Sequence, residues 1–157
     1  MIRTGIGYDV HQLAENEKLI IANIDIPSEK GSVGHSDGDA LTHAIIDALL
    51  GAAALGDLGD YFPSDDNKWK GAKSLDLLAD TVQKIELENY IINNVDGIII
   101  IQQPKLKNNI LHIRKNLSEV LKIPIDNISV KATTVDNIGA IGNCDGWAAQ
   151  AVVTLSK

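Results

Sequence analysis

The sequence predicts an α+β fold, a mainly β-sheet core covered on one face by helices. Three observations lead there. Runs rich in Ile, Val and Thr at 2–10, 95–101, 128–134 and 147–155 have the length and composition of strands. The segment 72–88 places Leu75, Leu78, Ala79, Val82 and Ile85 at helical spacing. Read end to end, the order is β-β-α-α-β-α-β-β, with strands and helices interspersed rather than segregated.

Each element has a local reason. The first strand, 2–10, opens the chain. The apolar pattern continues through 19–26, with a turn or bulge at Asn23, Ile24 and Asp25, and 27–34 reads as a loop. Asp37 or Asp39 can cap a helix running from Ala40 to about Leu55, because a short polar side chain there accepts from unpaired backbone N–H groups. Residues 56–60 end that helix, and the polar, turn-rich stretch 61–71 reads as a surface loop. After the 72–88 helix comes a dense β-branched run expected to be a buried strand. Pro104 precedes a helix from about Leu106 to Leu121, and two strands close the chain.

At 157 residues, a single domain spanning 1–157 is the simplest division. Apolar residues make up 45% of the chain and aromatics only 4%, so Ile, Leu, Val and Ala must fill the core. No apolar run approaches the ~20 residues a membrane helix needs, and no basic-then-apolar leader opens the sequence. No membrane partner is expected. The lone Cys144 excludes an internal disulfide, suits a reducing cytoplasm, and reads as a packed side chain rather than a nucleophile. The net charge of −7 argues against nucleic-acid binding. It leaves room for a small phosphorylated ligand, which metal ions, backbone amides and a few lysines can hold.

The chemistry concentrates in two segments. Asp9 and His11 are two apart on a strand, so they point to the same side, with Val10 expected to turn into the core. His43, on the following helix, can add a third ligand. Two imidazoles and a carboxylate with one position open describe a catalytic zinc-type site. His35, Ser36, Asp37, Gly38 and Asp39 crowd the helix start, a natural seat for a phosphate. Asp39 and Asp47 share a helix face with His43, and either could accept its second ring N–H. Lys131, Ala132, Thr133, Thr134 and Asp136 end a strand, where hydroxyls and a carboxylate could hold phosphate and a second cation. Lys105, at the opening of a helix, can meet an anion. Each of these taken singly also has an ordinary reading, as a capping residue, a solvated face or a strand end.

Taken in order, these segments resemble the 2-C-methyl-D-erythritol 2,4-cyclodiphosphate synthase family over essentially the whole chain. The resemblance rests on Gly7-Tyr8-Asp9-Val10-His11, His35-Ser36-Asp37-Gly38-Asp39 and His43. It extends through Asp47 to Asp57, Phe62-Pro63, Lys70-Gly71-Ala72, Asn94-Val95-Asp96, Pro104-Lys105 and Lys131-Ala132-Thr133-Thr134. It implies a phosphorus–oxygen lyase of non-mevalonate isoprenoid synthesis. The implied substrate is 4-diphosphocytidyl-2-C-methyl-D-erythritol 2-phosphate, whose 2-phosphate attacks the β-phosphorus of its own diphosphate and expels CMP. By matching positions, Asp9, His11 and His43 would bind Zn²⁺, and Asp136 would help hold Mg²⁺ or Mn²⁺ on the diphosphate. His35 and Thr134 would stabilise the transition state. Ser36 would orient the methylerythritol phosphate. Asp57, Leu58 and Gly59 would contact the methylerythritol, with Phe62, Pro63, Ser64, Asp65 and Asp66 closing over it. Ile101, Gln102, Gln103, Pro104, Lys105, Leu106, Ala132 and Thr133 would form the cytidine pocket. The family implies a homotrimer with sites between subunits.

Some positions depart from the family's common pattern. Asp136 stands where Glu is frequent, one methylene shorter. Ala140 and Asn143 replace the Phe and Arg that go with an isoprenoid diphosphate on the trimer axis. Some relatives are fused to a cytidylyltransferase, which nothing in this sequence matches, so cytidyl transfer is not expected. A metal-dependent phosphohydrolase and a non-catalytic metal- or nucleotide-binding protein are the competing readings of the same ligand set.

Overall fold

The structure, a computed structural model, describes residues 1–157. A five-stranded mixed sheet carries the helices on one face, as the sequence predicts. Its strands are β1 (Ile2–Glu15), β4 (Lys30–Val33), β5 (Ile91–Ile100), β6 (Ile128–Thr133) and β7 (Gly146–Ser156), in the order β4-β1-β7-β5-β6. Only the β5–β6 pair is parallel. Its crossover is α4 (Ile110–Leu121), the type of connection a parallel pair requires. A separate hairpin joins β2 (Leu19–Ile21) to β3 (Ile24–Ile26).

Several boundaries differ from expectation, each for a tertiary reason. β1 runs past Val10 to Glu15 because β7 pairs with it as far as Gln12 and β4 continues the ladder from Gln12 to Glu15. The expected loop at 27–34 therefore contains β4, an edge strand. The turn in 19–26 falls at Ala22 and Asn23, both at positive φ, one residue earlier than expected. β5 begins at Ile91, before the β-branched run, and a register shift lies between Ile92 and Asn94. It is buried on one face only, through Ile92, Val95 and Ile99. α4 begins at Ile110 rather than Leu106, because residues 106–109 form a turn first, closed by the Asn109 N–H on the Leu106 carbonyl.

The first helix, α1 (Ala40–Ala53), is the centre of the core, with twelve of its residues buried. It is hydrophobic nearly all round, as a helix packed on several sides must be. Asp39 caps it, its carboxylate accepting the Thr42 N–H at 3.0 Å. Ala54 ends it in the left-handed region. The short α2 (Leu58–Tyr61) follows, where only a helix end was expected. α3 (Ser74–Leu87) packs beside α1, and a single turn, α5 (Gly139–Gly142), precedes β7. Close approach of α1 to β1 depends on Gly5 and Gly7. A Cβ on Gly7 would sit 1.9 Å from the Ala44 carbonyl oxygen. That proximity sets His43, on the first turn of α1, directly over β1.

The other face of the sheet carries no helix. Along β1, Gly5, Asp9, His11 and Leu13 turn toward the helices, while Ile6, Tyr8 and Val10 turn away. Val10 was expected in the core, but it is 52% exposed, because the pleat that aims Asp9 and His11 inward puts Val10 on the uncovered side.

Candidate metal centre and nucleotide cavity

Asp9, His11 and His43 meet as the spacing predicted. The Asp9 Oδ2 lies 3.0 Å from the His11 Nε2 and 2.9 Å from the His43 Nδ1. The two ring nitrogens are 3.3 Å apart. Ligands of a tetrahedral zinc ion at ~2.0–2.1 Å would be separated by about 3.3–3.4 Å. The donor set and its spacing therefore fit such an ion with little adjustment. The N/O donors suit zinc better than the hard cations that prefer all-oxygen shells. The His11 Nδ1 faces the Val33 carbonyl at 3.0 Å. A carbonyl only accepts, so Nδ1 carries a proton, and Nε2, which turns to Asp9, is the nitrogen a metal would take.

Electrostatics follow from this packing. Burial would raise the Asp9 carboxyl, but hydrogen bonds with His11 and His43 and their positive charge outweigh it and hold the group well below the usual carboxylate range. Burial would lower His11; Asp9, the Val33 carbonyl and the charge of Asp39 prevail and raise it above 6.5.

Neither carboxylate expected to orient His43 does so. Asp39 is fully buried, and its Oδ2 accepts the Ala22 N–H at 2.6 Å, tying the β2–β3 turn to the start of α1. Burial pushes its pKa up to about 6 despite those bonds. The Asp47 Oδ1 accepts the Leu58 N–H at 2.7 Å and so fixes the start of α2. The Nε2 of His43 instead meets Ser74 Oγ at 2.9 Å and Ser36 Oγ at 3.2 Å. Ser74, at the first position of α3, had no signal in the sequence beyond an ordinary helix start.

The triad lines a cavity of 180 Å³ together with His35, Ser36, Leu58, Phe62, Ser64, Trp69 and Leu77. Phe62 is buried and meets Trp69 edge-on, with ring centroids 5.0 Å apart. Trp69 and Leu77 were not anticipated. His35 Nε2 lies 3.1 Å from the Asp66 carbonyl. Asp57 caps α2 in a reciprocal capping box with Asp60. Asp57, Gly59, Pro63, Asp65 and Asp66 do not line this cavity in the single chain.

A second cavity, of 380 Å³, lies at the end of β5 and β6. It is lined by Ile101, Gln102, Pro104, Lys105, Leu106, Lys107, Ile110, Ala132, Thr133 and Thr134. Most residues expected to form a cytidine pocket are thus brought together, joined by Lys107 and Ile110. Gln103 and Asp136 are outside this lining. The Gln102 Oε1 accepts the Asn137 N–H at 3.2 Å and the Val135 N–H at 3.4 Å, pinning the loop that presents Asp136. The two cavities have no residue in common.

Comparison with known proteins gives a consistent answer. The model of the YgbB family matches residues 2–156. A 2-C-methyl-D-erythritol 2,4-cyclodiphosphate synthase of Clostridium botulinum (strain Alaska E43 / Type E3) is 50% identical over 156 residues, covering 99% of each chain. One of Lachnospira eligens is 49% identical, covering 99% of this chain and 85% of that one. Among solved structures, the bifunctional IspDF of Campylobacter jejuni superposes with a TM-score of 0.95 at 39% identity. That match covers 99% of this chain, which spans 42% of the longer protein. The CDP complex of Plasmodium falciparum IspF gives 0.85 at 36% identity, covering 98% of this chain and 95% of that one.

Proposed function

The chain belongs to the YgbB family, and we infer from that membership and from the site that it converts 4-diphosphocytidyl-2-C-methyl-D-erythritol 2-phosphate to 2-C-methyl-D-erythritol 2,4-cyclodiphosphate and CMP. The observation that carries the reading is the convergence of Asp9, His11 and His43 beside His35 and Ser36. The step belongs to the non-mevalonate route to isoprenoids. An oxygen of the 2-phosphate forms a bond to the β-phosphorus. The bond from that phosphorus to the bridging oxygen breaks, and CMP leaves with the bridging oxygen. The substrate supplies its own nucleophile, which makes this a phosphorus–oxygen lyase step rather than hydrolysis.

The chain must then fold the substrate, neutralise its charge and keep water out. Asp9, His11 and His43 would hold Zn²⁺, and Asp136 would help hold Mg²⁺ or Mn²⁺; such ions draw negative charge from the phosphates. His35 and Ser36 line the metal cavity and would hold the methylerythritol phosphate. His35 and Thr134 are the residues we assign to stabilising the transition state. Asp57, Leu58 and Gly59 would contact the methylerythritol, with 62–66 over it. Ile101 to Leu106, Ala132 and Thr133 would take the cytidine. Lys105 is exposed at that cavity and suits a phosphate.

One substrate carries both the cytidine and the reacting phosphates, yet the two cavities of a single chain are separate. A homotrimer in which one chain's nucleotide cavity faces another's metal centre resolves this. The bare sheet face supports it: Ile2 is 74%, Ile6 63%, Tyr8 57% and Val10 52% exposed. A contiguous apolar surface of that kind marks an interaction site. No helix is long and apolar enough to cross a membrane; the single, unpaired Cys144 supports a reducing cytoplasm as the place of the reaction.

Phosphorus NMR of the purified protein with substrate and divalent metal tests the activity. The expected products are a cyclic diphosphate and CMP. A linear product with free phosphate would instead identify a phosphohydrolase, and tight CDP binding without turnover a non-catalytic binder.

A further inference from the structure

Asp37 lies in the polar cluster before α1, and nothing assigned above uses it. Its carboxylate is engaged entirely by donors. Oδ2 accepts the Ser74 N–H at 2.9 Å, and Oδ1 accepts the Ser74 hydroxyl and, at 3.3 Å, the Asp39 N–H. Ser74 is fully buried at the start of α3, with its Oγ 2.9 Å from the His43 Nε2. We propose that Asp37 and Ser74 are positioning residues that hold the Nε2–H of His43 and so keep its Nδ1 turned to the metal. This rests on the reading of Asp9, His11 and His43 as metal ligands.

Hydrogen-bond direction at Ser74 sets the proton on His43. An ionised carboxylate only accepts, and a serine hydroxyl has a single proton. That proton is committed to Asp37, so Ser74 Oγ can only accept from His43. The Nε2 must therefore carry the proton. Ser36 Oγ, 3.2 Å from the same nitrogen, has a hydroxyl proton of its own to give. Were Nε2 to accept it, two lone pairs would face each other across the shorter 2.9 Å contact to Ser74. Ser36 is thus a second, weaker acceptor. The other ring nitrogen, Nδ1, faces Asp9 at 2.9 Å and His11 at 3.3 Å. In the metal-free chain the Asp9 carboxylate accepts from it, and a metal held by Asp9, His11 and His43 would take the place of that proton while the Nε2–H stays on Ser74. His11 is set in the opposite sense by the Val33 carbonyl, so each ring turns the nitrogen a metal would take to the same point.

Asp37→Asn tests the direction of the relay rather than its presence. An amide has one acceptor oxygen. Keeping that oxygen on the 2.9 Å Ser74 N–H turns the NH₂ toward Ser74 Oγ, at the expense of the longer Asp39 contact. The Ser74 hydroxyl would then donate to His43 Nε2 and drive the proton to Nδ1, against the metal. Ser74→Ala removes the acceptor, and Ser74→Thr restores a hydroxyl.

Metal-stripped wild type and variants are titrated with Zn²⁺ against a competing chelator. The His43 Nε2–H of the zinc-loaded protein is followed by nitrogen-edited NMR, and its exchange with solvent is measured. Loss of an outer partner of a metal-bound histidine costs roughly 10–100-fold in affinity, so that loss is expected for Ser74→Ala and Asp37→Asn, with Ser74→Thr close to wild type. In zinc-loaded wild type the His43 Nε2–H should exchange slowly with solvent, and in Ser74→Ala it should exchange faster. Wild-type affinity in both Ser74→Ala and Asp37→Asn, or a His43 Nε2–H that exchanges as fast in wild type as in Ser74→Ala, overturns the relay. His43→Ala separates the two readings: if it binds zinc as tightly as wild type, the metal assignment itself has failed.

Discussion

Asp9 and His11 show how one side chain can hold opposite consequences for folding and for binding. His11 has a folded pKa raised above 6.5, so its contribution to the stability of the metal-free chain is fully present below the unfolded value and is lost as pH rises through the folded one. Asp9, lowered, acts in the other sense: its contribution holds above the unfolded carboxylate value of about 3.9 and is lost only in strong acid. A metal competes with the proton at the His11 Nε2. Zinc affinity should therefore rise with pH through the raised His11 pKa, over the same interval in which His11 stops stabilising the metal-free fold. Chelator competition and urea unfolding across that interval should give slopes of opposite sign. Affinity independent of pH there would remove His11 from the ligand set.

The helix α1 and strand β1 are positioned by features too small to stand out in a sequence. Gly7 has no room for a methyl group, since the nearest atom is backbone of α1. Gly7→Ala should destabilise the chain by about 3 kcal/mol or more in urea unfolding, the upper range for overpacking. A loss under ~1 kcal/mol would mean that α1 can slide away without cost. At the N-terminus of α1, Asp39 has a folded pKa of about 6 against roughly 3.9 when unfolded. The folded chain binds the extra proton between those values, so the Asp39 contribution falls as pH rises from about 4 to about 6 and is level beyond. The stability difference between wild type and Asp39→Asn should shrink over that window. A difference constant with pH would show that Asp39 is already ionised in it.

For the whole molecule, the decisive feature is the sheet face that no helix covers. Ile6, 63% exposed, contributes nothing to the core of one chain. Ile6→Asp should therefore keep the fold and the zinc content, yet sediment as a monomer and release no CMP. Full activity in a monomeric Ile6→Asp would show that one chain's two cavities serve one substrate unaided. The fold of the single chain was largely legible beforehand because its periodicities are local: α3 has its Leu and Val at helical spacing, and β7 its apolar run. What escaped was set by distant pairing. β4 is a strand only because β1 offers an edge, and Trp69 joins the metal cavity only because the 62–69 segment folds back over Phe62.

Sequence by itself determined the α+β class, the three side chains of the candidate metal centre and most of the lining of the second cavity. These are written in short-range spacing: two residues along a strand for Asp9 and His11, and runs such as Gln102 to Leu106. Tertiary structure decided which groups orient the ligands. Asp39 and Asp47 were the nearest carboxylates to His43 along the helix, but their positions were taken by the backbone N–H groups of Ala22 and Leu58. A buried N–H without an acceptor is costly, so those carboxylates were drawn to them. His43 was left to Ser74, 31 residues away in the chain. No spacing rule reaches that far, because only the packing of α3 against α1 brings the two together.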